Sequence, residues 1–185
     1  PYFIYLHDND PHQPVHKRAF WYGKHDKYKF NYIAKYDSEI RYVDSAIKKL
    51  FAQFNFLDDT LIIITSDHGE ELWERGRFGH GFSLMDTVIR VPLLFRFSNN
   101  EYWALNIDDN VSNIDILPTL LEYLELEHQN KQKFAGQSLM KLISAPNAKR
   151  NPRHILSYLD YKQSPKIQRI YRSVLLAHWK SLTIT

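Results

Sequence analysis

Leu61-Ile62-Ile63-Ile64-Thr65-Ser66-Asp67-His68-Gly69-Glu70-Glu71 decides the fold class of this 185-residue chain. The four leading residues are all apolar, which reads as a strand buried on both faces, the mark of a central parallel strand. The run then opens into a polar segment over 66–81 that holds Gly69, Gly76, Gly79 and Gly81. In open α/β sheets ligands bind beyond the carboxyl ends of strands, so chemistry is expected here first. Asp67 beside His68 can offer a carboxylate oxygen and an imidazole nitrogen to one ion, and Gly69 lets the backbone turn sharply around them. On spacing alone the dipeptide also reads as a strand-end cap next to a surface histidine. No His-Glu-x-x-His element and no cysteine–histidine framework is present, which excludes zinc-protease and zinc-finger readings.

Upstream, Ile33, Tyr36, Ile40, Val43, Ile47, Leu50 or Phe51, and Phe54 recur at three- and four-residue steps. That spacing predicts a helix from Tyr32 with one apolar stripe, ended by Asp58-Asp59. Residues 12–30 show no period and are expected as loop. Tyr2–Leu6, before the turn-rich His7-Asp8-Asn9-Asp10-Pro11, has the length and apolarity of a strand. Downstream, strands are expected at Val91–Phe97, Ile155–Leu159, Tyr171–Leu176 and Trp179–Thr185, with a tight turn at Ala177-His178. Helices are expected at Asp115–Leu124, where Pro118 falls near the first turn, and at Ser138–Ile143.

At roughly 150 residues per domain the length allows about one domain. Hydrophobic residues at 44% and charged residues at 24% are ordinary globular usage, which excludes a disordered tail, a collagen and a coiled coil. The net charge is +3 with lysines and arginines scattered, so no basic stripe for nucleic acid is present. No apolar run approaches a membrane span. Zero cysteines exclude a disulfide, a thiolate metal site or a cysteine nucleophile within these residues.

Several further elements stand in a fixed order around Asp67-His68. They are Asp10-Pro11-His12-Gln13-Pro14, the stretch Tyr36–Asp44, Gly79-His80-Gly81, Arg90-Val91-Pro92-Leu93-Leu94, Val111–Leu121 and Phe134-Ala135-Gly136-Gln137-Ser138-Leu139. Together they resemble the sulfatase family of the alkaline-phosphatase-like superfamily, over nearly the whole chain. The resemblance implies an α/β sandwich with a central, mostly parallel sheet flanked by helices, plus a small C-terminal antiparallel sheet. Residues 1–150 would be part of the catalytic domain and 151–185 the C-terminal strands of the same fold.

The resemblance also implies a metal-dependent sulfuric ester hydrolase. Asp67 and His68 would ligate the ion, calcium in most of the family, with zinc or manganese as the alternative. His12 and His80 would contact the sulfate ester, His12 also assisting the leaving oxygen as a group able to donate a proton near neutral pH. Without the resemblance His12 reads as a loop histidine between prolines, and His7, His16 and His25 as solvated. A second metal site from His12 and His16 is the further option. Glu70 and Glu71 are expected as helix-start charge or solvation, and Asp44 and Asp115 as caps or salt-bridge partners.

Arg75-Gly76 stands where many relatives have His-Gly, and Met85 where they have Tyr. The family's first-strand acidic pair and its formylglycine nucleophile, from Cys- or Ser-x-Pro-x-Arg, match nothing here. The chain is therefore expected to be the central and C-terminal part of a sulfatase, inactive by itself. Its substrate would be a small-molecule or carbohydrate sulfate ester, and its location periplasmic or extracellular. Two alternatives stay open: a phosphodiesterase, phosphonate hydrolase or phosphoethanolamine transferase of the same superfamily, or a non-catalytic binding module on the same fold. Asn110-Val111-Ser112 is a glycosylation sequon, meaningful in a secreted eukaryotic protein.

Overall fold

The computed structural model describes residues 2–16, 28–53, 58–98, 102, 105–126, 134–164, 167–176 and 179–184. In chain order the elements are α1 (Tyr28–Gln53), β1 (Ile62–Thr65), β2 (Glu71–Leu72), β3 (Phe78–Gly79), α2 (Asp86–Ile89), β4 (Leu93–Arg96), α3 (Ile116–Tyr123), α4 (Met140–Ser144), β5 (His154–Ser164), β6 (Ile167–Leu176) and β7 (Trp179–Ile184). The chain divides into two compact units, residues 1–60 with 71–79 and residues 61–70 with 80–185.

In the first unit α1 carries the expected three- and four-residue stripe, and Ile33, Tyr36, Val43 and Ile47 are half-buried. Ile40, expected on the same stripe, is exposed, and the most enclosed positions of the helix are the polar Ser38 and Glu39. Glu39 is held there because its Oε1 accepts the backbone N–H of His16 at 2.7 Å. The helix starts at Tyr28 rather than Tyr32, ahead of the stripe and inside the stretch expected as loop. Helical backbone needs no apolar stripe to extend by a turn, so periodicity dates the packed part of a helix and not its start. Strands β2 and β3 form a hairpin, Glu71 opposite Gly79 and Leu72 opposite Phe78. Trp73 stacks on Phe78 with ring centroids 4.6 Å apart, and Tyr32 meets Trp73 edge-on at 5.2 Å.

Tyr2–Leu6 is not a strand among the described residues. It runs without a ladder partner, its side chains 65 to 82% exposed. An apolar run expresses a demand for burial, but a strand exists only where a neighbour takes its backbone hydrogen bonds.

In the second unit β1 pairs antiparallel with β4, Ile62 opposite Arg96 and Thr65 opposite Leu93. This differs from the expected central parallel strand buried on both faces: Ile64 is 37% exposed. Every ladder among the described residues is antiparallel. The apolar run reports that both faces want cover, while the direction of its neighbour is set by the path that brings β4 back alongside it. The core of this unit is Phe97, Leu139 and Ile143, with Phe95, Tyr102 and Tyr123 packed around them. Tyr102 and Tyr123 each meet the Phe97 ring edge-on at 4.9 Å.

Pro118 sits in the first turn of α3, where its missing N–H costs nothing. The expected C-terminal antiparallel sheet is present, in the order β5-β6-β7. Over residues 154–160 of β5 exposure alternates, with Ile155, Ser157 and Leu159 on the more covered face. Leu176 pairs with Trp179, and the Ala177-His178 turn expected between them lies outside the described residues, as do His25 and Phe54. No helix among the described residues is long and apolar enough to cross a membrane.

Candidate active site

The end of β1 is tied down before the loop begins. The Thr65 hydroxyl lies 2.9 Å from the Pro92 carbonyl and 3.0 Å from Asn113 Oδ1. The Asn113 amide nitrogen donates to the Ser66 carbonyl at 2.9 Å, and the Ser66 hydroxyl donates to the His68 carbonyl at 2.5 Å. Side chains from two sequence motifs, with the Pro92 carbonyl from a third, thus hold the backbone on both sides of Asp67.

Asp67 projects outward, its side chain 75% exposed, with Oδ2 3.9 Å from His68 Nε2. His68 donates Nδ1–H to the Gly69 carbonyl at 2.9 Å, which makes Nε2 the ring nitrogen with the acceptor lone pair. Gly69 does not have positive φ, so a sharp turn is not what it supplies. A β-carbon there would stand 2.2 Å from the Thr87 carbonyl oxygen. Its N–H donates to the Val88 carbonyl at 2.7 Å, so the glycine permits close approach of two backbones.

Glu70 and Glu71 are both buried, not solvated, and no helix starts at them. Glu71 belongs to β2, while Glu70 accepts from His80, whose Nδ1 lies 3.3 Å from each carboxylate oxygen. The His80 ring lies against that of His68, centroids 3.9 Å apart and planes tilted by 32°. The structure therefore brings together Asp67, His68 and His80. Glu70 is the member of the cluster that sequence reasoning missed.

His12 belongs to the first unit. Its Nδ1 donates to the Gln13 carbonyl at 2.7 Å, and it lines an open cleft of about 410 Å³ with Asn9, Asp10, Gln13, Pro14 and His16.

Asp115, expected as a cap or ion-pair partner, is both. It closes a capping box with Ser112 ahead of α3. Its Oδ1 accepts from Gln137 N–H at 2.9 Å and from Arg153 Nη2 at 2.9 Å, and its Oδ2 from Ser112 N–H at 2.8 Å and from Arg153 Nη1. Burial pushes this carboxyl's pKa up, but the Arg153 hydrogen bonds, the Gln137 and Ser112 N–H groups and the guanidinium charge outweigh it. The net pKa lies below the ordinary carboxylate value.

Residues 1–126, more than half of the chain, match the family model described as Sulfatase. The chain belongs to the sulfatase family. Residues 73–183 match a second model, described as N-sulphoglucosamine sulphohydrolase, C-terminal. Among curated relatives, the multifunctional alkaline phosphatase superfamily protein PehA of Trinickia caryophylli is 35% identical over 118 residues, 60% of this chain and 22% of that protein. The extracellular sulfatase SULF-1 homolog of Drosophila melanogaster is 27% identical over 145 residues, 77% of this chain and 12% of that protein. Among solved structures, BT1596, a 2-O GAG sulfatase, superposes with a TM-score of 0.67 at 21% identity, over 84% of this chain and 34% of that one. That likeness is one of fold. The chain thus spans only a minor part of each of these relatives.

Proposed function

We propose that this chain carries part of the active site of a metal-dependent sulfuric ester hydrolase acting on a carbohydrate sulfate ester. The sulfatase match over residues 1–126 carries the reading, because that span contains His12, Asp67, His68 and His80 together. Asp67 and His68 would hold the ion. Their donor set fits one: a solvent-facing carboxylate oxygen and an imidazole nitrogen 3.9 Å apart, whose other ring nitrogen is already anchored. When bound there, a divalent cation supplies charge that stabilises the oxyanions of the ester. Calcium is the ion proposed, with zinc or manganese as the alternative.

His80 and His12 would hold the ester oxygens by hydrogen bonds, and His12 would carry the proton to or from the leaving oxygen. The nucleophile, a formylglycine in the family, is not supplied by any cysteine here. The fuller fold, with a mostly parallel central sheet, and a periplasmic or extracellular location belong to the same proposal. A relative named as an extracellular sulfatase supports the location.

A second reading, phosphodiester or phosphonate hydrolysis, is favoured by the relative named as a multifunctional member of the alkaline phosphatase superfamily. Elemental analysis of the full-length protein, with turnover of an aryl sulfate against an aryl phosphonate monoester, separates the two. Calcium with preference for sulfate is the expected result, and Asp67→Ala should remove both the ion and several orders of magnitude in rate. Zinc or manganese at full occupancy with preference for the phosphonate would support the second reading.

A further inference from the structure

Glu70 has no part in the reading above, yet its side chain is only 4% exposed. A carboxylate is costly to bury unless hydrogen bonds replace its water. Its partner is His80, ten residues away, and the pairing follows from the hairpin. Glu71 faces Gly79 and Leu72 faces Phe78, so the same register continued one step places residue 70 opposite residue 80. We propose that Glu70 is a positioning residue for His80, holding Nδ1 so that Nε2 is the atom presented to the bound sulfate ester. This rests on the sulfatase reading for what Nε2 contacts, but not for how the ring is held.

Three observations fix the ring. Nδ1 stands 3.3 Å from both Glu70 oxygens, so its N–H is shared between the two acceptors of one carboxylate. One face of the imidazole is covered by the His68 ring at 3.9 Å. His68 is itself anchored through Nδ1 to the Gly69 carbonyl, so the two rings lie against each other at a tilt with both Nδ1 atoms tied to the protein. The backbone on either side does not do this work. His80 lies between Gly79 with φ 102° and Gly81 with φ 82°, positions where glycine adds no side chain to pack and no preference for one backbone state. A histidine between two glycines needs an anchor from elsewhere, and the buried carboxylate is that anchor.

The test uses the full-length protein labelled with ¹⁵N-histidine, and reads the ring N–H protons. Wild type should show a slowly exchanging, low-field ring N–H that disappears in His80→Gln. In Glu70→Gln it should move upfield, because a neutral amide accepts a weaker hydrogen bond than a carboxylate. In Glu70→Ala it should be lost. Sulfate-ester kcat/KM should fall by about 10- to 100-fold in E70A, the scale of a lost outer-shell partner, and E70Q should recover most of it. Should E70A fail to fold, the upfield shift in E70Q decides alone. No such resonance in wild type, or one unchanged in E70Q, overturns the proposal. A resonance that responds as expected in a protein that turns over no sulfate ester leaves Glu70 as the anchor and refutes the sulfatase reading instead.

Discussion

Asp115→Asn is the sharpest test of how the second unit is held together, because the change keeps shape and removes only charge and one acceptor atom. The carboxylate takes hydrogen bonds from Ser112 N–H, Gln137 N–H and both terminal nitrogens of Arg153. Each oxygen serves one backbone N–H and one guanidinium N–H. Whichever oxygen becomes NH₂, one donor of each kind loses its acceptor and meets another donor. An unsatisfied buried N–H costs about 1–3 kcal/mol, and breaking a buried ion pair from one side about 3–5 kcal/mol. Arg153 is 22% exposed, so water relieves part of its loss, and a total of about 3 kcal/mol is expected. Against a typical domain stability of about 5–15 kcal/mol that is a large share. With a urea m-value of about 1–3 kcal/mol/M, the midpoint should drop on the order of 1–3 M. A shift below about 0.5 kcal/mol would refute the reasoning, as would a double-mutant cycle with Arg153→Met showing no coupling.

The same group sets an acid limb. Its pKa is lowered in the folded chain, so between the folded and unfolded values the unfolded state binds more protons. Its stabilisation is therefore complete above the unfolded value of about 3.9 and is lost as pH falls through the folded one. The Asn variant should have a flatter stability profile below pH about 4, and an unchanged acid limb would show that another carboxylate sets it.

Gly69→Ala and Gly136→Ala should each destabilise by about 1–3 kcal/mol, since the added carbon would meet the Thr87 and Ile114 carbonyl oxygens at 2.2 and 2.0 Å. A calorimetric scan that places either variant at the wild-type Tm would contradict this. His12→Ala and His80→Ala in the full-length protein should reduce sulfate-ester turnover while the bound ion, measured by elemental analysis, stays. Loss of the ion in either would make that histidine a ligand. The 185-residue chain alone should turn over no aryl sulfate with added calcium, and a rate near that of the full-length protein would refute the account of the site.

What the sequence made legible follows the kind of signal each feature leaves. Periodicity marks α1 and the start of β5 well, because burial repeats along an element whatever it packs against. Strand direction leaves no such trace: Leu61–Ile64 and Tyr2–Leu6 both announce a need for neighbours, but a ladder depends on where another segment arrives. The role of Asp115 was readable from the residues before α3, where an acidic residue three after Ser112 is a capping pattern. Its partner Arg153 was not, because an ion pair across 38 residues is invisible to any local window.

Glu70 is the instructive miss. In a glycine-rich, charged segment the default for a carboxylate is water, and that default holds unless another side chain is delivered to it. Here the delivery is arithmetic: in an antiparallel hairpin, paired positions keep a constant sum of residue numbers, and 71 with 79 and 72 with 78 share it. Position 70 with 80 does too. Residues 73–77 therefore act at a distance, since one residue added or removed in that turn would offset Glu70 from His80. Arg75 and Gly76 lie inside this same turn. Gly76 keeps φ at 77°, a conformation that favours glycine. The side chains of the turn can vary while its length and its glycine keep the two ends of the hairpin in register, and the placement of His80 depends on that register.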